Sequence, residues 1–188
     1  MLSDDQIVEG CRKGKRHAFS ALYEKYAAVM LGVCYRYTKS RMEAEDVLQE
    51  GFVKVFQKIA SFESRGSFEG WLRRLMVNTA INHYKANQRH KTQDIDLNSK
   101  EVVKKYENED ETIEIEGAIP QAELMKMLQN LPDGYRMVFN MYVIEGLKHD
   151  EIAEELNIST NTSKSQLFKA RRWLRQKIEE RQKQLNIL

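Results

Sequence analysis

Apolar side chains recur every three to four residues along much of this chain, which is the spacing of helices with one buried face. The clearest example is 43–56, EAEDVLQEGFVKVF, where one side of the predicted helix is almost entirely apolar. Segments with the same spacing occur at 16–37, 71–89, 133–144 and 149–156. The pattern therefore predicts an all-α protein.

The outer side of the 43–56 helix is acidic. Asp46 and Glu50 are one helical turn apart, so their charges repel each other by roughly a few tenths of a kcal/mol. Gln49 and the apolar Val53 share this side, and no basic residue occurs beside them before Lys54. The fold alone does not explain why the helix keeps this combination.

The net charge of +2 is distributed unevenly. Residues 1–93 hold 16 Lys and Arg against 10 Asp and Glu, 94–119 hold 3 against 9, and 120–188 hold 11 against 9. The middle segment has no sustained helical stripe, and its acidic composition predicts a flexible linker. Two small helical domains, 1–93 and 120–188, are therefore predicted on either side of the linker 94–119.

A basic and amide-rich face follows the loop at 62–68. In the helix that Ser67 is predicted to cap, the outer side carries no carboxylate after Glu69. Arg and Lys suit phosphates, Asn suits base edges, and Phe rings in a Ser/Gly loop suit stacking on unpaired bases. Nucleic-acid binding is therefore favoured over a solvated helix side. The loop carries Phe62, Ser67 and Phe68, and the outer side of the helix carries Arg73, Arg74, Asn78, Asn82, Lys85, Asn87, Arg89 and Lys91.

The segment from His149 onwards has the pattern of a helix-turn-helix. Asn157 follows the short helix and tolerates the left-handed conformation that the turn needs, and the small Ala153 permits close approach of the two helices. The first helix is acidic, whereas 160–177 contains six Lys and Arg and no acid. The second helix is therefore predicted to contact DNA.

Other classes of function find little support in the sequence. No window reaches the ~18 uninterrupted apolar residues of a membrane span, and the N-terminus lacks the apolar region of a signal peptide. The four His and two Cys have no metal-ligand spacing, and no phosphate loop or nucleophile motif occurs. We therefore predict a cytoplasmic protein that is not an enzyme, does not insert into membranes, and has no cofactor or metal.

The chain resembles bacterial RNA polymerase sigma factors of the extracytoplasmic-function (ECF) class of the sigma-70 family. Three runs carry the resemblance, in the family's order: EAEDVLQEGFVKVF, FESRGSFEGWLRRLMVNTAINHYK and LPDGYRMVFNMYVIEGLKHDEIAEELNISTNTSKSQLFKARRWL. The resemblance implies a region 2 helical bundle and a region 4 helix-turn-helix. It also implies a protein that binds core RNA polymerase and recognises and opens promoter DNA.

The resemblance offers an explanation for the acidic helix face. In the family, the matching helix docks on a basic coiled coil of the polymerase β′ subunit, while region 4 lies near the β flap. Asp46, Gln49 and Glu50 around Val53 are then expected to contact the polymerase, and their repulsion is relieved by the partner's basic side chains. An anti-sigma factor is a further partner that the family allows.

The resemblance also assigns the two promoter elements. The loop 62–68 is expected to capture an unpaired base of the −10 element, and Arg74, Asn78 and Asn82 to read the rest, with Lys85 and Arg89 on phosphates. Region 4 is expected to read duplex DNA of the −35 element in the major groove. The expected base contacts are Lys164, Ser165 and Phe168, and Thr162, Arg171 and Arg172 are expected nearer the backbone.

This sequence departs from the family pattern at three positions of region 4. Asn157 replaces a glycine in the turn, Ser163 replaces an apolar residue that usually packs inward, and Gln166 replaces a frequent Arg. Ser163 is expected to loosen or reorient the recognition helix, and Gln166 to favour adenine over guanine.

A dimeric helix-turn-helix regulator of duplex operators is the alternative hypothesis. It accounts for the basic faces, but not for the acidic Asp46/Glu50 face or for the aromatic loop.

Overall fold

The computed structural model describes residues 2–63, 65–90 and 119–185, with the side chains of residues 89, 90 and 185 excepted. The chain divides into two compact units, Met1–His90 and Lys91–Leu188. Every regular element in the described ranges is helical, as predicted. Apart from Ile119, the predicted linker lies outside the described residues. None of the described helices is long and apolar enough to cross a membrane.

In the N-terminal unit, the described residues form four α-helices. They are α1 (Asp4–Arg12), α2 (Arg16–Tyr37), α3 (Arg41–Lys58) and α4 (Phe68–His90), and a 3₁₀ turn, Ile59–Ser61, continues α3. Helices α2, α3 and α4 each pack against the other two, and α1 packs against α2. This arrangement surrounds the apolar stripe of α3 with apolar residues of its two neighbours.

Serine side chains begin three of these helices, as their spacing predicts. The Ser3 hydroxyl accepts a hydrogen bond from the Gln6 amide at 3.3 Å, and the Gln6 side chain accepts one from the Ser3 amide at 2.9 Å. Ser40 accepts from the amide of Glu43 at 3.2 Å, and Ser67 accepts from the amide of Gly70 at 3.1 Å. These bonds satisfy amides that the helix itself leaves without partners.

Four more α-helices occur in the described part of the C-terminal unit. They are α5 (Gln121–Asn130), α6 (Asp133–Phe139), α7 (His149–Leu156) and α8 (Thr160–Leu185), and a π-helical turn, Asn140–Ile144, continues α6. The long α8 packs against α6, α7 and, less extensively, α5. It is therefore the element on which this unit is assembled.

A buried arginine joins α5 to α6. The Arg136 guanidinium donates to the carbonyl oxygens of Gln129 at 3.0 Å and Leu131 at 3.1 Å, and to the Asp133 carboxylate at 2.8 Å. The carbonyls lie where α5 ends, and Asp133 is the first residue of α6. One charged group thus ties the end of one helix to the start of the next, and its own burial is offset by these bonds.

Gly10 permits the close crossing of α1 over α2. A Cβ added to Gly10 would lie 2.6 Å from the Cβ of the buried Ala18. A Cβ added to Gly32 in α2 would have no neighbouring atom within 4 Å. Gly10→Ala is therefore expected to destabilise the protein by about 1–3 kcal/mol through overpacking. Urea unfolding followed by circular dichroism measures this loss.

The matched control is Gly32→Ala. Both glycines lie inside helices, where alanine has the higher propensity, so the control is expected to gain about 0.5–1 kcal/mol. Equal effects of the two substitutions would contradict the close-packing argument.

Candidate protein and nucleic-acid interfaces

The acidic side of α3 faces solvent. Its inner residues are buried, whereas Asp46, Gln49 and Glu50 are exposed and Val53 keeps 53% of its surface accessible. The structure thus places all four predicted contact residues together on one outer face. This face, Asp46–Gln49–Glu50–Val53, is called the α3 outer face below.

The charges on the α3 outer face differ in their partners. The Glu50 carboxylate lies 2.6 Å from the Lys54 ammonium, an ion pair one turn along the helix. Asp46 has no ion pair among the described residues. The repulsion between Asp46 and Glu50 is therefore partly offset by Lys54, and Asp46 is the carboxylate most available to a basic partner.

Glu43 belongs to the fold and not to this face. Its carboxylate accepts a hydrogen bond from the Lys39 amide at 2.8 Å and lies 3.5 Å from the Asn87 amide nitrogen on α4. It also lies 3.8 Å from Nδ1 of His83. Glu43 thus helps to hold the start of α3 against α4.

Met42 extends the α3 outer face and was missed by the sequence reasoning. It is 74% exposed, the most exposed large apolar side chain among the described residues, and it lies one turn before Asp46. Met42 and Val53 therefore flank the polar residues with apolar side chains. The signal was the i, i+4, i+7, i+11 spacing of Met42, Asp46, Gln49 and Val53.

The two phenylalanines expected to stack on bases are buried, so the prediction of exposed rings is wrong. Phe62 is 8% exposed and Phe68 is 4% exposed. Their ring centroids are 5.3 Å apart, and both lie within 6 Å of the Trp71 ring. The physical reason is that packing against other aromatic rings removes more apolar surface from water than an open loop allows.

These rings pack together where the loop between α3 and α4 joins the two helices. Phe68 also meets Tyr26 of α2 edge-on, with centroids 5.8 Å apart. Ser67, between the loop and α4, is exposed, although its hydroxyl already caps α4. Glu63 and Arg65 of the loop are exposed.

Arg12 of α1 supports the same loop and was also missed by the sequence reasoning. Its guanidinium donates a hydrogen bond to the carbonyl oxygen of Phe62, fifty residues away. Helix α1 is tied to α2 in turn, because the Asp4 carboxylate accepts bonds from Lys25 and Tyr26, each at 2.7 Å. Sequence spacing contains no signal for such a contact.

The outer side of α4 presents the predicted polar row. Arg74, Asn78 and Asn82 are exposed and follow one another at intervals of four residues, and Lys85 is half-buried on the next turn. The prediction for Arg89 lies outside the described side chains. The amides and the guanidinium thus share one helix side that begins next to the loop.

The helix-turn-helix forms as predicted. Asn157 ends α7 in the left-handed conformation, with φ of 61°, and is the only non-glycine residue with a positive φ in the described ranges. The Ser159 hydroxyl then accepts from the Thr162 amide at 2.9 Å, which starts α8. The Thr162 hydroxyl also hydrogen-bonds to the Ser159 hydroxyl, at 2.8 Å, and Thr162 is half-buried.

One of the six residues predicted to contact DNA from α8 is buried. Lys164 and Arg172 are exposed, and Phe168 and Arg171 are half-buried. Ser165 is buried, with its hydroxyl donating to the Thr162 carbonyl at 3.0 Å, so its assignment as a base contact is wrong. The reason is that this side of the helix packs on the unit's interior.

The expected role of Gln166 in base choice is wrong for the same reason. The Gln166 amide lies close to the backbone of Gly134 in α6: a Cβ added to Gly134 would lie 3.0 Å from both terminal atoms of that amide. Gln166 therefore packs against α6, and Gly134 makes room for it.

Comparison with known proteins agrees with this geometry. Residues 22–90 match the family model for sigma-70 region 2, and residues 121–174 match the model for sigma-70 region 4. The ECF RNA polymerase sigma-E factor of Haemophilus influenzae is 32% identical, over 95% of this chain and 96% of the relative. This chain belongs to the ECF class of the sigma-70 family. It therefore acts in transcription initiation by directing RNA polymerase to promoters, and the alternative hypothesis of an independent operator-binding regulator is set aside.

Other proteins that are similar to this sigma factor match it over most of its length and over most of their own. The RNA polymerase sigma-H factor of Pseudomonas aeruginosa is 31% identical over 89% of this chain and 90% of its own length. Among solved structures, CnrH in complex with the cytosolic domain of CnrY is 18% identical, with a TM-score of 0.47 over 93% of this chain and 96% of that chain. The sigma factor RpoE of Bartonella quintana, in complex with the anti-sigma factor NepR, is 19% identical, with a TM-score of 0.49 over 86% of this chain and 96% of that chain. The family assignment rests on the sequence matches.

Ser163 and His149 form a polar contact inside the helix-turn-helix of this sigma factor. Ser163 is fully buried, as its inward position requires, and its hydroxyl lies 2.9 Å from Nδ1 of His149. Burial lowers the pKa of His149, and the positive charges of Lys164 and Arg171 lower it further, against the opposing effect of Asp150. The expected loosening by Ser163 is thus countered by a specific partner.

The lowered pKa makes the C-terminal unit sensitive to acid. Unfolded His149 takes up a proton near pH 6.5, about its ordinary pKa, whereas the folded protein resists that proton. The contribution of His149 to stability is therefore full above this pH and is lost as the pH falls through the folded-state pKa. We expect the protection of α7 and α8 amides from hydrogen exchange to fall as the pH drops below about 6.5, the ordinary pKa of histidine.

The control for this prediction is His149→Asn, which cannot titrate. It is expected to flatten the part of the pH dependence that belongs to the C-terminal unit and to leave the N-terminal unit unchanged. An unaltered pH slope in the variant would contradict the assignment to His149.

Proposed function

We propose that this sigma factor binds core RNA polymerase through the α3 outer face, together with Met42. The observation that carries the proposal is a solvent-facing acidic cluster flanked by two exposed apolar side chains, on a helix whose opposite side is buried. A basic partner with an apolar centre is complementary to this surface. The charges then guide association, and burial of Met42 and Val53 contributes affinity.

The −10 element is proposed to be opened at the loop between α3 and α4. Duplex DNA meets the polar row of Arg74, Asn78 and Asn82 on α4, and Lys85 neutralises phosphates beside it. An unpaired base enters the loop above the aromatic cluster, which keeps the loop in place and does not itself supply an exposed ring. The Asn amides then hydrogen-bond the edges of neighbouring bases.

The −35 element is proposed to be read in the major groove by α8. Lys164, near the helix N-terminus, is the first candidate for a base contact because its side chain is exposed. The half-buried Phe168 lies one turn further along the helix. Thr162, Arg171 and Arg172 contact the DNA backbone. Ser165 is not part of the proposal because it is buried.

The remaining parts of the proposal follow from the family and not from a feature of the described residues. They are docking of region 4 near the β flap, regulation by an anti-sigma factor, a cytoplasmic place of action, and function without a catalytic site or cofactor of its own. The acidic linker 94–119 connects the two DNA-binding domains.

Reversing the charges of the α3 outer face tests the polymerase contact. Asp46→Lys with Glu50→Lys is expected to weaken binding to core RNA polymerase by at least about a hundredfold, because like charges then oppose each other in the interface. Both side chains are exposed, so the melting temperature is expected to stay close to that of the wild type. Competition with a labelled wild-type protein for core polymerase measures the affinity.

The matched control is Glu154→Lys with Glu179→Lys, which makes the same charge change at exposed positions of the C-terminal unit. It is expected to retain most of the polymerase affinity. If the α3 double variant binds core polymerase as tightly as the wild type, the proposed surface is wrong.

Removing the two amides of α4 tests promoter opening. Asn78→Ala with Asn82→Ala is expected to slow strand opening by about tenfold, which corresponds to the loss of one good base contact. Binding to the closed duplex is expected to change much less, because phosphate contacts supply most of that affinity. Permanganate reactivity of unpaired thymines measures opening, and gel retardation at low temperature measures closed-complex binding. Equal losses in both assays would place the amides on the duplex instead.

A further inference from the structure

We propose that His149 and Tyr142 are positioning residues for α8, which set the side of the recognition helix that meets the −35 DNA. The proposal rests on the proposed function of α8. Neither residue belongs to α8, and neither is among the predicted DNA contacts. Both act through residues of α8: His149 through Ser163, and Tyr142 through Arg171.

The contact between His149 and Ser163 fixes the rotation of α8 about its axis. Successive residues of an α-helix are 100° apart around the axis, so the direction of Ser163 determines the direction of Lys164. Ser163 is 0% exposed and its hydroxyl lies 2.9 Å from Nδ1 of His149, while Lys164 is exposed. A buried hydroxyl that loses its partner is costly, and this cost resists any rotation that would move Lys164.

Tyr142 continues this contact towards Arg171. The Tyr142 and His149 rings are stacked, with centroids 4.5 Å apart and planes at 22°. The Arg171 guanidinium lies 5.9 Å from the centroid of the Tyr142 ring, within the range of a cation–π interaction. The result is one column, Ser163–His149–Tyr142–Arg171, called the positioning column below.

The positioning column joins three separate elements. Tyr142 lies in the π-helical turn after α6, His149 is the first residue of α7, and the other two residues lie two turns apart on α8. The column thus connects the first turn of the recognition helix, where bases are read, to a basic side chain on the DNA backbone.

The proposal is tested by affinity for a short duplex. The probe is a sequence selected from a randomised library by the full-length wild-type protein in complex with core RNA polymerase, and a scrambled duplex of equal length is the reference. His149→Phe is expected to lower affinity for the selected duplex by about tenfold, and to change affinity for the scrambled duplex much less, because phosphate contacts remain.

The decisive variant is His149→Phe with Ser163→Ala. Replacing both partners by apolar groups removes the unpaired hydroxyl, so the double variant is expected to recover most of the lost affinity. Equal or greater loss in the double variant overturns the proposal. The asparagine and glutamine variants provide a second comparison if the phenylalanine variant folds poorly.

His149→Asn places its amide near the position of Nδ1, whereas His149→Gln places its amide near Nε2. The asparagine variant is therefore expected to retain affinity for the selected duplex and the glutamine variant to lose it. Equal affinities for the two variants overturn the contact. A wild-type protein that selects no sequence contradicts the proposed function of α8 itself, whereas selection by the wild type with indifferent variants contradicts only the positioning column.

Discussion

The N-terminal unit depends on the burial of one side of α3. The apolar stripe of this helix packs between α2 and α4, and its residues lose nearly all contact with water. A helix that has one side buried in the protein can bind a partner only through its opposite side. In this chain, that side carries Asp46 and Glu50, and burial of the inner side stabilises the helix although these two outer charges repel each other.

The loop for the −10 element depends on support from outside itself. Phe62 and Phe68 anchor its two ends in an aromatic cluster with Trp71, and Arg12 holds the Phe62 carbonyl from α1. Helix α1 lies before the residues that match the region 2 family model. The opening loop is thus part of a larger structure in which an additional helix limits its freedom.

The C-terminal unit uses polar groups inside the protein to orient its helices. Arg136 ties α5 to α6 through backbone carbonyls, and the Ser163–His149 contact ties α8 to α7. Apolar packing alone permits small rotations of one helix on another, whereas a buried hydrogen bond permits few of them. For a helix that reads bases, rotation is a functional property, because it decides which side chains enter the groove.

The sequence by itself determined the helical class of the protein and the starts of the helices that have a serine cap, because these signals are local. Caps at Ser3, Ser40, Ser67 and Ser159, the left-handed Asn157, and the spacing of apolar residues all act within a few positions of the chain. The same local pattern placed the α3 outer face and the row of Arg74, Asn78 and Asn82 on α4. Tertiary structure decided what these signals leave open. Phe62 and Phe68 are buried, and Ser165 and Gln166 point inward, because residues distant in the sequence pack around them. Helical spacing gives the angle between neighbouring side chains, but only the contacts with other helices decide which of those angles faces DNA.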